Sequence, residues 1–262
     1  MKVAVAGKGG VGKTTIAAAL ALLQARDGHG VLAVDADPDA NLASALGVPA
    51  AAQRQIVPIG QDAALIEERT GATPGQRGQI FKLNPEVSDI ARSHGLVQDG
   101  VTLLVLGAVE AGGSGCACPG SVLVRALVSE VVLHDRQTLV LDLEAGVEHL
   151  GRATARGVDV MLVVVDPGRT SLDCAERVFR MAGDIGIRNL AVVINRVARP
   201  EDDGWVRECL PGQQVLATIP VSDSIREAER AGRSVLDGMD GETLKRFEDL
   251  LRVVHRQVEQ RG

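Results

Sequence analysis

Four stretches of the sequence hold residues whose types and spacing suit chemistry. The first is Gly7-Lys8-Gly9-Gly10-Val11-Gly12-Lys13-Thr14, which matches G-x-x-x-x-G-K-[ST] between an apolar run and a helical pattern. Its glycines let the backbone curl so that successive N–H groups face one phosphate, and the helix that follows adds its positive end. On this reading Gly9, Gly10, Val11, Gly12, Lys13, Thr14 and Thr15 bind nucleotide. Lys13 reaches the β- and γ-phosphates, and the Thr14 hydroxyl ligates Mg²⁺.

The second and third stretches are acidic. Asp35, Asp37 and Asp39 alternate in Val34-Asp35-Ala36-Asp37-Pro38-Asp39-Ala40-Asn41, directly after a strand. Carboxylates at the carboxyl edge of a sheet can hold Mg²⁺ or orient the attacking water. Asp39 also suits a helix cap. Leu139-Val140-Leu141-Asp142 ends another apolar strand in a carboxylate aimed at the metal, so Mg²⁺ is assigned to Thr14 and Asp142, with Asp37 added by the family resemblance given below.

The fourth stretch is Gly112-Gly113-Ser114-Gly115-Cys116-Ala117-Cys118-Pro119-Gly120. Two thiols two residues apart can face one metal ion, and thiolate suits Zn²⁺, Cu(I), Fe–S clusters and Ni²⁺. One chain offers two ligands where a closed site wants four, and a two-fold dimer would supply Cys116 and Cys118 twice. Cys174 and Cys209 fall in helical patterns and read as small core residues. His149, beside Glu148, reads as a packing or hydrogen-bonding residue.

These groups need elements to carry them. Short apolar runs span Lys2 to Ala6, Val31 to Asp35, Val101 to Leu106, Thr138 to Asp142, Val158 to Asp166, Leu190 to Asn195 and Val215 to Ile219. Most are continuous rather than alternating, as in strands covered on both faces. Helical patterns lie between several of them: Lys13 to Arg26, Ser121 to His134 and Ser171 to Gly186. That alternation predicts a single-domain α/β P-loop NTPase over residues 1–262, with a mostly parallel, doubly wound sheet flanked by helices. Ala50 to Gly100 has no clear period and reads as an excursion with one helix near Gln61 to Arg69. Leu244, Phe247, Leu250, Leu251, Val254 and Val258 follow a helical spacing and predict a terminal helix packed on the sheet.

Composition narrows the function. The chain has 262 residues, is 45% apolar and 2% aromatic, and carries a net charge of −6, which disfavours base stacking and non-specific nucleic-acid binding. No apolar run approaches the ~20 residues a membrane span needs, and Met1 leads straight into a strand, so the expectation is cytoplasmic with no stable membrane anchoring. No guanine-reading N-K-x-D occurs, which favours ATP over GTP.

The form Lys-Gly-Gly-Val-Gly-Lys-Thr-Thr resembles the deviant Walker A motif of the ParA, MinD and nitrogenase iron protein superfamily. That resemblance makes Lys8 a residue that crosses a dimer interface to the partner's nucleotide. It makes Asp37, the Asp before Pro, catalytic alongside Lys8 and Lys13. Asp142-Leu143-Glu144-Ala145-Gly146 resembles the second switch, with Glu144 where many members carry proline. Asn195 and Arg196 resemble the adenine-side N-[RK] segment. Pro220 and Val221, in Ile219-Pro220-Val221-Ser222, resemble the loop over the base, with Ser222 where Asp is frequent. The loop through Cys116 and Cys118, with Asp142 to Arg152, resembles the CooC-type maturation factors of carbon monoxide dehydrogenase. The family implies a homodimer that uses ATP/ADP, carries Ni²⁺ on Cys116 and Cys118 (Zn²⁺ fits the same site), and serves a client metalloenzyme similar to carbon monoxide dehydrogenase. The competing readings are a ParA- or MinD-like positioning ATPase without a metal role, and an iron–sulfur reductase.

Overall fold

The computed structural model describes residues 1–76, 78–107, 119–130, 136–144 and 158–260. The apolar runs become strands β1 (Lys2–Gly7), β2 (Gly30–Asp35), β3 (Leu96–Gln98), β4 (Val101–Val105), β5 (Gln137–Asp142), β6 (Val160–Val165), β7 (Leu190–Val197) and β8 (Val215–Pro220). These lie in one sheet in the order β3-β4-β2-β5-β1-β6-β7-β8. All neighbouring pairs are parallel except β3 with β4.

The strands are apolar along their length because both faces are covered. On β1, Val3 and Val5 face one core with Ile16, Leu20, Phe247 and Val254, while Ala4 and Ala6 face the other with Leu104, Leu123, Val163 and Val178. Helices α1 (Lys13–Arg26), α2 (Leu42–Ala45) and α3 (Ala50–Gln53) follow β1 and β2. Helices α4 (Ala63–Thr70) and α5 (Ile90–His94) precede β3, and α6 (Pro119–Glu130) precedes β5. Helices α7 (Arg169–Ile185), α8 (Pro200–Cys209), α9 (Asp223–Arg230) and α10 (Gly241–Glu259) complete the layers. The architecture is the expected single-domain, doubly wound α/β fold.

Several bounds move. β7 continues past Asn195 to Val197 and loses regular register between Ile194 and Val197. β6 stops at Val165, so Asp166 lies beyond the strand. Helix α6 begins at Pro119, and residues 131–134 of the expected helix lie outside the described residues. The excursion between Ala50 and Gly100 holds a single-turn 3₁₀ helix (Ile59–Gln61), α4 in place of the helix expected near Gln61 to Arg69, α5, and the antiparallel β3. Three residues are too few for β3 to show a period. Arg69 anchors this region through two hydrogen bonds to Asp89, at 2.7 and 2.8 Å. Cys174 is buried, and Cys209 is half-buried against the same core. No helix among the described residues is long and apolar enough to cross a membrane.

The terminal helix α10 packs as its spacing predicts, with Phe247, Leu250, Leu251 and Val254 buried against β8 and α1. Phe247 is 0% exposed. Truncating it leaves a cavity, so Phe247→Ala should lower the unfolding free energy by about 3–5 kcal/mol in urea titrations. A loss well under 1 kcal/mol would show that α10 does not belong to the core.

Candidate nucleotide site

The centre of the sheet fixes the site. β1 lies between β5 and β6, so the strand order reverses there and its carboxyl end opens into a crevice. The chain leaves β1 through Gly7, whose φ of 142° and close approach to the Val164 carbonyl of β6 exclude a side chain. Gly10 and Gly12 also take positive φ, at 86° and 95°. Gly9 and Gly10 are exposed, Val11 is buried, and Thr14 and Thr15 are half-buried. Gly12 begins α1 with no side-chain cap, and the first turn contains no acid. The free N–H groups and the helix dipole therefore favour an anion at this end. Lys8 is half-buried and makes no ion pair among the described residues.

Three carboxylates face the loop. The β2–β5 register sets Asp35 beside Asp142, and the β1–β5 register sets Val5 beside Asp142. Both aspartates are completely buried. Asp35 is spoken for: its Oδ1 accepts from the Asp37 N–H at 3.1 Å and its Oδ2 from the Leu42 N–H at 2.8 Å. It thereby holds both ends of the loop that carries Asp37. Burial pushes its pKa up to about 6, against the lowering effect of those two N–H donors. Asp37 sits 3.8 Å from the Lys13 ammonium and accepts the Asp39 N–H at 3.1 Å. Asp39 and Asn41 are exposed, and neither side chain caps α2. The capping expected of Asp39 is done by Asp35 from inside the sheet.

Asp142 differs from the other two. Among the described residues, neither of its oxygens has a hydrogen-bond partner. Burial pushes its pKa up to about 7; the nearby Thr14 hydroxyl lowers it without reaching hydrogen-bond geometry, and the Asp35 charge raises it further. A buried, partnerless carboxylate beside a threonine hydroxyl and a second carboxylate is costly unless a cation completes it. Thr14, Asp37 and Asp142 thus have the donor chemistry of an Mg²⁺ site, since hard oxygen ligands suit that ion.

On the other side of the loop, β7 brings Asn195 and Arg196 to the sheet edge. Asn195 is 6% exposed, and its amide nitrogen donates to the Val11 carbonyl at 2.7 Å. Arg196 is exposed and takes a left-handed φ of 58°, inside the register irregularity of β7. Pro220 ends β8 and Val221 is 38% exposed, its N–H donating to the Val197 carbonyl at 3.1 Å. Ser222 caps α9 by accepting the Ile225 N–H. Serine caps a helix as aspartate does, which accounts locally for its presence there.

Cys116 and Cys118, the pair expected to hold a metal, lie outside the described residues, as do Gly146, Glu148 and His149. Glu144 is half-buried at the end of the β5 segment. Two features went unread in the sequence. Asp35 ends an apolar run as Asp142 does, and that shared pattern marks a second inward carboxylate. The Val235 N–H donates to the Ala45 carbonyl, and Gly47 packs against the Ser234 backbone, strapping α2 to the segment after α9. That strap has no local signature.

The Asp142 environment predicts a pH-dependent stability. The unfolded carboxyl ionises near 3.8 and the folded one near 7, so between these values the folded state holds a proton that the unfolded state has lost. Stability without nucleotide or divalent cation therefore falls as pH rises through that window. Asp142→Asn removes the penalty. Its melting temperature should match wild type near pH 4 and exceed it by about 5 °C or more near pH 8. An offset independent of pH would overturn this account.

The chain is similar to known proteins along most of its length. The family profile described as the CobQ/CobB/MinD/ParA nucleotide binding domain matches residues 2–235. The chain is 42% identical over 237 residues to the carbon monoxide dehydrogenase accessory protein CooC of Rhodospirillum rubrum, covering 90% of each. It is 41% identical over 257 residues to an uncharacterised ATP-binding protein of Methanocaldococcus jannaschii, covering 97% of each. Its fold superposes on the septum site-determining protein MinD of Pyrococcus horikoshii, solved with Mg-ADP, with a TM-score of 0.67 and 19% identity over 100% of this chain and 98% of that one. These matches run almost the full length of the sequence and through its phosphate loop, and the chain belongs to the CobQ/CobB/MinD/ParA family of nucleotide-binding domains, in its CooC-related branch.

Proposed function

We propose that the chain is an ATP-hydrolysing accessory factor that closes into a homodimer around nucleotide and carries Ni²⁺ to a client resembling carbon monoxide dehydrogenase. The observation that carries the hydrolytic part is the Asp142 carboxylate, buried without a hydrogen-bond partner among the described residues at the mouth of an uncapped phosphate loop. The 42% identity to CooC supports the client.

The residues divide the work. The loop N–H groups from Gly9 to Thr15 and the Lys13 ammonium bind the phosphates. Thr14, Asp37 and Asp142 would hold Mg²⁺, which when bound supplies positive charge against the β- and γ-phosphates. Phosphates arriving at Lys13 draw it from Asp37, and the freed carboxylate orients the attacking water. Asn195, Arg196, Pro220 and Val221 take the adenine. Lys8 reaches the nucleotide of the second protomer, where a cation stabilises the charge that develops on the transferring phosphoryl group. Nickel, the cargo, is held by Cys116 and Cys118 of both protomers, a sulfur set that Zn²⁺ also fits. Closure around ATP and release on hydrolysis would bias one two-state dimer that both metal and nucleotide engage.

Two measurements test this reading. Lys8→Ala should leave ATP binding within a few-fold of wild type and lower kcat by about 10³, the scale of a cation supplied in trans. An unchanged kcat would remove Lys8 from the chemistry. Anaerobic Ni²⁺ titration followed by size exclusion, with and without ATP, should give about one metal per two chains, as a two-fold site requires. The Cys116→Ser/Cys118→Ser double variant should lose that metal and the metal-dependent dimer. Tight binding unaffected by the serines would defeat the metal role.

A further inference from the structure

We infer that Asn195 is a positioning residue of the phosphate loop, so that one amide serves both halves of the nucleotide. This rests on the reading above in which Asn195 faces the adenine. It adds that the same side chain builds the loop before any base arrives.

The loop needs an outside support. It leaves β1 at the centre of the sheet, and its apex at Val11 must be held while its N–H groups stay free for phosphate. Within the loop, the only backbone hydrogen bond closing the turn among the described residues is the Val11 N–H to the Lys8 carbonyl, long at 3.4 Å. The Val11 carbonyl instead accepts from the Asn195 amide nitrogen at 2.7 Å. That contact reaches over β6, from the strand that carries the loop to a strand two places away.

Two features exist to permit the contact. A Cβ on Gly12 would overlap the Asn195 amide nitrogen, so this glycine allows the close approach as well as the left-handed turn. β7 breaks register between Ile194 and Val197, with Arg196 in the left-handed region, and a bulge of that kind re-aims the neighbouring side chain. The strand is distorted at the point where Asn195 turns into the loop.

An amide has two N–H donors and one acceptor. One donor is committed to Val11, and that is the one hydrogen bond of the Asn195 side chain among the described residues, which leaves the other donor and Oδ1 for a ligand. That remaining pair matches the acceptor N7 and donor N6 of adenine, and opposes the two acceptors N7 and O6 of guanine. A base held there and a phosphate held in the loop therefore bear on the same side chain.

The test separates loop support from base reading by using a ligand with no base. Calorimetry would measure tripolyphosphate, ATP and GTP binding, each with Mg²⁺, to wild type, Asn195→Ala and Asn195→Asp. The aspartate keeps the shape and loses both donors but adds a negative charge that itself repels phosphate, so the uncharged alanine must weaken too for lost support to be the cause. Leaving the Val11 carbonyl unsatisfied should weaken tripolyphosphate by about 10-fold or more in both variants. ATP should weaken further, and the preference for ATP over GTP should shrink. In steady-state hydrolysis kcat should fall together with a rise in KM, because the loop also positions the reacting phosphate. Tripolyphosphate binding equal to wild type in a folded alanine or aspartate variant, with or without loss of ATP affinity, overturns the proposal. None of these measurements involves nickel or the cysteines, so failure here leaves the cargo reading intact, and failure of the nickel titration leaves this one intact.

Discussion

The parallel register that sets Val5, Asp35 and Asp142 side by side at the carboxyl edge of the sheet is the constraint on which the chemistry depends. Because β1 is the point where strand order reverses, its loop enters a crevice whose floor is lined by two buried carboxylates. A register slip of one residue on β5 would turn Asp142 to the opposite face and leave Leu141 or Leu143 beneath the loop. The apolar runs prevent this slip, since every strand residue around the aspartates is committed to one of two cores. Packing that has nothing to do with nucleotide thus fixes the placement of Asp142.

The two carboxylates illustrate how one environment yields two roles. Both are removed from water, and burial raises both pKa values. Asp35 recovers part of the lost hydration from two backbone N–H groups and spends its acceptors on the Asp37 loop. Asp142 recovers less, with only the Thr14 hydroxyl nearby and no hydrogen-bond partner among the described residues, and remains an electrostatic demand that a divalent cation would answer. Lys13 and Asp37 meet a related demand from each other, and incoming phosphates compete for that lysine. The resting site is therefore a set of charges awaiting opposite charges.

The adenine side is tied to the same frame by different means. Asn195 crosses to Val11, Val221 pairs with Val197, and the segment after α9 is fastened to α2 through Val235 and Ala45. The excursion between Ala50 and Gly100 stands apart, its geometry set by the Arg69 pair with Asp89 and by a few buried side chains such as Leu65, Ile66 and Ile90.

The sequence by itself determined the phosphate loop, the strand–helix alternation and the positions of Asp37, Asp142 and the terminal helix. Each is written in local terms: a fixed motif, a continuous apolar run, or a helical period, and local patterns survive in one dimension. The tertiary structure decided what depends on neighbours distant in the chain. It made Asp35 the support of the Asp37 loop and left Asp142 without a donor. It placed the Asn195 amide on a carbonyl 184 residues away in sequence. It showed β3 and the short helices of the excursion, elements too brief to carry a period. Hydrogen-bond satisfaction and desolvation are properties of the assembled interior, and residue spacing along the chain does not encode them.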